Sequence, residues 1–454
     1  MRLYHKDKTV LLLVFDVALM IMAFSFALFF GHRTPMTIRV YTVYAWGMVT
    51  LISSVVTVFF VLDLYALHKI PGRFMIQVLL ITLGLFFSAI AATFIFFFFR
   101  NAVPRAVFIL FYVFSLILIT LFRYSFNKLT SILIFWRLLI VGQGRPIENI
   151  ARLIQEKRYL HSLIVGYLSD DEENINITDV PRLGNIDTLL SVVDSAGIDH
   201  IVVATSEIDV RFMSMLIACM KRKIKVTDFK RFIETVAGKV PIDYLSDSWF
   251  FGELSSSDRR YYWYLKRIID IFLSLFGLCV ALAFLPIIAL LIKVDSPGPV
   301  FYSQMRIGRD NKPFRLWKLR TMVRDAEKSK IFWTTDHDER ITRLGKFFRK
   351  IRIDEVPQLW NILRGDMTLI GPRPEAVNLV ELYRREIPYY QERHMVTPGI
   401  TGWAQINYSY GNSIEDAREK LMYDYYYIKY RSIILDAIIF LRTIRTVLTG
   451  KGAL

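Results

Sequence analysis

The chain has 454 residues, 54% of them hydrophobic, with 57 Lys and Arg against 41 Asp and Glu, a formal net charge of +16. That length allows roughly two to four domains, and the positive mean hydropathy argues against a wholly soluble protein. The basic excess points to lipid head groups, phosphorylated substrates or nucleic acid. Cys219 and Cys279 stand far apart with no neighbouring Cys or His, which excludes a disulfide framework and a zinc cluster.

Four apolar blocks come first, at Val10–Phe30, Val43–Leu62, Met75–Phe99 and Val107–Phe122. Each is near the ~20 residues that cross a hydrocarbon core as a helix. The first follows MRLYHKDK without a small-residue cleavage site and is expected to be a retained anchor. Arg2, Lys6, Lys8, Lys69, Arg73, Arg123, Lys128 and Arg137 fall on one side of the four spans; Arg33, Arg39, Arg100 and Arg105 fall on the other. Eight against four places the N-terminus and the segment after Phe122 in the cytoplasm. Asp16 and Asp63 invite an ion-pathway reading, but the sequence shows neither an evident partner.

From Trp136 to about Ser257 the texture becomes α/β. A strand at Arg137–Val141 runs into Gly142-Gln143-Gly144, a helix follows at Pro146–Lys157, and a second strand at Leu163–Leu168 ends before Asp170 and Asp171. Further apolar runs at Ile198–Ala204 and Ile224–Val226 keep a doubly wound rhythm. A dinucleotide fingerprint wants a third glycine where Ile147 stands, so a structural or assembly role is favoured over NAD binding.

The block Tyr264–Ile292 is long enough to span, yet Pro286 interrupts it and Lys266, Arg267, Lys293, Arg306 and Arg309 flank both ends. A break at Pro286 would let the chain enter one leaflet and return to the same face, in competition with an ordinary fifth span. Asp295-Ser296-Pro297-Gly298-Pro299 then reads as a turn-rich linker. Short strands are expected at Val300–Tyr302 and Phe314–Leu319, and the alternation in Trp317–Met322 would point Lys318 and Arg320 the same way.

Arg349 to Glu375 concentrates the chemistry. Asp354 and Glu355 lie between Arg349, Lys350 and Arg352 and a helix expected over Pro357–Leu363, whose first-turn proline places both carboxylates at or just before its start. Gly371-Pro372-Arg373-Pro374 is a stiff turn that fixes one arginine. Paired carboxylates among arginines suit a site where Mg²⁺ and phosphate oxygens meet; the competing reading is that Asp354 only caps the helix. Thr397–Trp403 is a second rigid turn. Two helical runs fill Ile414–Leu448, the last carrying Arg442 and Arg445 and suiting the bilayer surface or, alternatively, the domain core.

Six segments carry a resemblance: Lys293–Tyr302, Lys318–Met322, Asp354–Asn361, Arg364–Met367, Gly371–Glu375 and Pro398–Trp403. In this order and spacing the chain resembles the bacterial sugar transferases, and more narrowly the large monotopic phosphoglycosyl transferases, also called polyprenyl-phosphate hexose-1-phosphate transferases. The resemblance runs from about Tyr264 to Leu454. It implies a membrane α plus α/β architecture: four transmembrane helices (1–130), a Rossmann-like cytoplasmic module (131–260) and a small α/β catalytic domain with surface amphipathic helices (261–454), anchored by a re-entrant helix over 264–292 that turns at Pro286.

The implied reaction moves a sugar 1-phosphate from a UDP-sugar to undecaprenyl phosphate and releases UMP, initiating exopolysaccharide, capsule or O-antigen synthesis at the bacterial inner membrane. Asp354 would be the nucleophile that forms an aspartyl phosphosugar, with Glu355 assisting and both near Mg²⁺. Arg349 and Arg373 match phosphate-contacting arginines, and Lys318, Arg320 and Arg306 are further candidates for substrate phosphate. The catalytic domain would face the cytoplasm, the oligomeric state is left open with a homodimer among the options, and nucleic acid is not expected among the partners. Arg352-Ile353 departs from the small polar residue that many members carry, and should bear on substrate choice. Competing functions are an NAD-dependent nucleotide-sugar epimerase or dehydratase, and a non-enzymatic scaffold for polysaccharide export.

Overall fold

The computed structural model describes residues 5–32, 38–61, 64–65, 74–99, 103–133, 136–157, 162–171, 180–205, 208–245, 249–254, 260–323, 340–408, 411 and 413–449. Two compact units divide the chain, Met1–Phe135 and Trp136–Leu454.

The first unit holds α1 (His5–His32), α2 (Ile38–Val61), α3 (Phe74–Phe99) and α4 (Arg105–Leu133). Each contains a stretch long and apolar enough to cross a membrane, as the four blocks predict. Its aromatic side chains interlock between α1 and α4, with Phe24 edge-on to Phe111 and Phe15 stacked on Phe122. Asp16 does have a partner: Arg123 Nη2 lies 2.5 Å from Asp16 Oδ2, and Nη1 donates to the Leu64 carbonyl at 2.8 Å. Both side chains are buried, so this is an interior ion pair between α1 and α4. Arg123 therefore no longer counts as a flanking charge, which leaves seven basic residues against four. Asp63 lies outside the described residues.

In the second unit, β1 (Trp136–Gly142), β2 (Ser162–Leu168), β3 (Arg182–Gly184), β4 (His200–Ala204) and β5 (Lys225–Asp228) form a parallel sheet in the order β3-β2-β1-β4-β5. Successive strand residues face opposite ways. Leu138 and Ile140 thus join a core with α5 (Arg145–Lys157) and α8 (Phe229–Ala237), while Leu139 and Val141 join one with α6 (Leu189–Ala196) and α7 (Val210–Lys221). Helices on both faces make the doubly wound layering expected from the sequence. β3 escaped that reading because it is three residues long with no buried member. Gly142 lies so close to the Ala204 backbone that a Cβ would collide with it. Ile147 is fully buried in the core rather than open to a ligand.

A single helix then runs from Arg260 to Asp295 with Pro286 inside it. Pro286 does not end the helix, contrary to the expected break. Its ring removes only one amide donor and crowds one carbonyl, a cost that the remaining turns absorb. Thirty-six residues reach about 54 Å, well beyond a hydrocarbon thickness of about 30 Å. Most of its surface is exposed and apolar, including Phe272, Phe276, Phe284, Ile287 and Leu290.

Both ends of this helix hold on to the same domain. Near its start, Lys266 Nζ lies 2.6 Å from Asp436 Oδ2, and Arg267 donates to the carbonyls of Ile362 (2.5 Å) and Leu363 (2.7 Å). Asp270 accepts from the Thr368 hydroxyl at 2.6 Å and the Leu369 amide at 3.1 Å. Near its end, Leu285, Ile288 and Ile292 pack with Leu319 and Phe348.

That domain pairs β6 (Phe301–Ile307) and β7 (Pro313–Leu319) antiparallel, and β8 (Thr368–Ile370) and β9 (Gly399–Thr401) parallel. The C-terminal helices are Ile414–Tyr430 and Ile433–Thr449. The last buries Leu435, Ile438 and Ile439, pairs Thr443 with Thr401 at 2.7 Å, and sets Arg442 over the Trp403 ring. This face covers the domain core, the alternative to a bilayer-surface role; the Arg445 side chain lies outside the described residues.

The Rossmann-like module is bound to this domain through partly buried polar contacts. Lys429 meets Glu234 at 2.8 Å, the Trp403 indole N–H donates to Gly238 O at 2.6 Å, and Val240 N donates to Met422 O.

Candidate active site

Asp354 and Glu355 occupy a 3₁₀ turn, Ile353–Glu355, just before the helix Gln358–Arg364, close to where Pro357 predicts. The turn opens on Arg352 in the left-handed region (φ 60°), a conformation that costs a side-chain-bearing residue and recurs at functional sites. Asp354 does not cap the helix: Pro357 holds the N-cap position and no side chain caps it.

The two carboxylates are equally buried, each 7% exposed, but differently placed. Glu355 Oε1 receives Arg373 Nη2 at 2.7 Å, Lys318 Nζ at 3.3 Å and, at 3.9 Å, Arg352 Nη1. Burial alone pushes Glu355 up, yet Arg373, Lys318 and Arg352 outweigh it and hold the carboxyl well below the usual range. The Asp354 carboxyl accepts no hydrogen bond and makes no ion pair among the described residues. Burial raises it above its ordinary 3.8, with Lys318 pulling down, Glu355 pushing up, and Arg349 and Arg352 offsetting only part. One carboxylate is locked; its neighbour is left open.

The surrounding fold sets this division. β7 aims Lys318 at Glu355. The Gly371–Pro374 turn is fixed by backbone bonds to the second turn, Gly371 N to Thr401 O and Gly399 N to Pro372 O, both 2.9 Å. These turns pack backbone to backbone, so a Cβ on Gly399 would strike Gly371. From behind, Arg393 donates to the Arg373 carbonyl at 3.1 Å and is itself paired with buried Asp424 at 2.7 Å.

The other predicted residues fall at graded distances from the dyad. Arg349 Nε donates to the Thr321 hydroxyl at 3.0 Å, and its charge acts on Asp354. Arg306 donates to Pro374 O and Gln304 Oε1 and lines a small cleft with Lys318, Gln358, Arg373, Pro374 and Gly399. Arg320, expected beside Lys318, is turned onto the linker, where it donates to the carbonyls of Ser296 (2.5 Å) and Pro297 (2.8 Å). β7 ends at Leu319, so strand alternation no longer governs it. The Arg393–Asp424 pair was not singled out from the sequence. Arg352 was marked by its place in the basic run before the dyad and as a departure bearing on substrate choice, but not as a partner of Glu355.

No group of three or more His, Cys, Asp and Glu suited to a metal occurs among the described residues. Two adjacent carboxylates, one of them without a protein partner among the described residues, still match the small protein share of a Mg²⁺ shell that phosphate oxygens complete.

A basic cleft beside an open, buried carboxylate is the setting in which the comparisons with known proteins fall. The family described as bacterial sugar transferase matches residues 261–450. A protein of Xanthomonas campestris named UDP-glucose:undecaprenyl-phosphate glucose-1-phosphate transferase is 30% identical over 336 residues, 70% of this chain and 67% of that protein. An exopolysaccharide production protein of Rhizobium leguminosarum is 42% identical over 195 residues, covering 98% of it. The chain belongs to the bacterial sugar transferase family. Within this bacterial sugar transferase, the dyad, both rigid turns and the long helix lie inside the matched region. A UDP-N-acetylgalactosamine-undecaprenyl-phosphate N-acetylgalactosaminephosphotransferase of Aeromonas hydrophila is 43% identical over 238 residues, 52% of this chain. The match spans about half that relative's length, 56%. A second family, described as a CoA-binding domain, matches residues 61–209.

Proposed function

We propose that this transferase moves a sugar 1-phosphate from a UDP-sugar onto undecaprenyl phosphate through a covalent intermediate on Asp354. The observation that carries the reading is the contrast within the dyad: Glu355 is neutralised by Arg373 and Lys318, while Asp354 has no protein partner among the described residues. A carboxylate that is not tied to a cation of the protein keeps an oxygen available for attack.

An Asp354 oxygen attacks the phosphorus that bears the sugar. The bond from that phosphorus to the bridging oxygen breaks, and UMP departs with the bonding pair. An oxygen of undecaprenyl phosphate then attacks the same phosphorus, the aspartyl bond breaks, and the Asp354 carboxylate is restored. Lys318, Arg373, Arg306 and Arg349 supply positive charge toward the phosphoryl oxygens, which is most of what such a transfer asks of a protein. Asp354 and Glu355 would hold Mg²⁺, whose chemistry here is to neutralise diphosphate oxygens.

The acceptor lies in a bilayer and the donor in water, so the dyad must sit at their boundary. In support of a re-entrant anchor, both ends of the Arg260–Asp295 helix pack on one domain while its middle exposes apolar surface. Contacts of both ends with one domain support an anchor that returns to the face it entered from. The flanking basic charge favours the cytoplasmic face.

The test is transfer of label from UDP-sugars into lipid with undecaprenyl phosphate as acceptor. The relatives' names make N-acetylgalactosamine and glucose the first sugars to try. Mass spectrometry of enzyme trapped without acceptor should find a phosphosugar on Asp354. UMP release that persists in Asp354→Asn would refute the covalent route.

A further inference from the structure

We propose that Gln358 is a substrate-contacting residue whose carboxamide donates to a phosphoryl oxygen in the cleft beside the dyad. The inference rests on the transferase reading and deepens it.

Gln358 opens the helix that follows the dyad and is 2% exposed. Its Nε2 is buried with no hydrogen-bond partner among the described residues. Buried donors are almost always satisfied, and one left unmade is a standing cost to the fold. This one borders the cleft, alongside Arg306, Lys318 and Arg373. Those cations are engaged with acceptors already, Lys318 and Arg373 with Glu355 and Arg306 with the Pro374 carbonyl. A ligand drawn into a cleft of such charge is an anion. A neutral amide there adds direction rather than more charge, and the acceptor it lacks is what a phosphate group brings.

The experiment uses the full chain in lipid nanodiscs and two variants of similar size, Gln358→Met and Gln358→Glu. Methionine removes an unsatisfied donor, so the thermal midpoint without ligand should equal or exceed that of wild type. Transfer should nevertheless fall about 10- to 100-fold in kcat/KM, the weight of one hydrogen bond to a charged group. Gln358→Glu should fall further, because its carboxylate repels phosphate. The rise in midpoint that UDP produces identifies the source of the oxygen. A smaller rise in Gln358→Met assigns the contact to the nucleotide diphosphate. An unchanged rise with the loss confined to KM for undecaprenyl phosphate assigns it to the lipid phosphate. Wild-type kcat/KM for both substrates in either variant overturns the proposal, as does a fall in the ligand-free midpoint with transfer intact. A wild-type protein that transfers no sugar phosphate refutes the transferase reading instead, and the UDP response of the variants still judges Gln358.

Discussion

Two neighbouring carboxylates with equal burial differ in pKa direction because their partners differ. Glu355 owes its low value to Arg373, Lys318 and Arg352, so its stabilising contribution is complete above its ordinary 4.5 and is lost as pH falls through the depressed folded value. Asp354 works the other way: its ionised form is disfavoured in the fold, and that penalty is relieved as pH falls through the raised folded value toward 3.8. Asp354→Asn should therefore abolish transfer while raising the thermal midpoint near neutral pH, measured by differential scanning fluorimetry. Glu355→Gln should lower it, since three cations lose their counter-charge; about 3 kcal/mol is expected, the low end for a buried pair, because Lys318 and Arg373 are partly exposed. The acid limb of kcat/KM should reflect Asp354 and lie above the range of a free aspartate. Lys318→Met should move that limb to higher pH, because Lys318 is the strongest of the cations that lower Asp354.

At the scale of elements, two attachments hold the site in register. Asp270, on the long helix, takes both the hydroxyl of Thr368 and the amide of Leu369, and so fixes β8 against that helix. Asp270→Ala leaves two donors unmade and should cost about 2–3 kcal/mol in chemical denaturation. The second attachment is Trp403, which closes the turn beginning at Pro398 and donates to Gly238 of the Rossmann-like module. Ile400 of the same turn accepts from Arg373 Nη1 at 3.4 Å, so the module braces a turn that touches the dyad's arginine. Trp403→Phe loses the N–H and the pyrrole half of the indole; it should cost about 2 kcal/mol or more in chemical denaturation, hydrogen bond and packing together. The Asp16–Arg123 pair of the first unit is the comparable fastening between α1 and α4.

The whole molecule combines a strongly basic chain with a long, exposed apolar helix. Cys279 is exposed near the middle of that helix, and Cys219 is buried in the module. If lipid covers the helix, a membrane-impermeant maleimide should leave Cys279 unmodified in intact membranes and modify it after denaturation. Lys312→Cys, in an exposed turn of the catalytic domain, should label in inside-out vesicles and stay silent in spheroplasts. The reverse result would place the domain on the outer face and remove access to the nucleotide sugar.

What the sequence determined by itself was local or periodic. Apolar blocks of membrane length, the two-sided strands of the module and the seat of Asp354 and Glu355 before Pro357 are all set within a few residues, where propensity and proline geometry act. The motifs around the dyad, in their order and spacing, were enough to identify the family. Partners distant in the chain were decided only by the tertiary structure. Arg123 meets Asp16 across 107 positions, and Lys318 meets Glu355 across 37. The same dependence explains Arg320, which alternation placed beside Lys318 and the end of β7 released toward the linker carbonyls. It also explains Pro286, where contacts at both ends of the helix accompany a helix that continues through a residue expected to stop it. Pattern reading sees which groups are present; which of them remain open for chemistry depends on how strands register and helices dock.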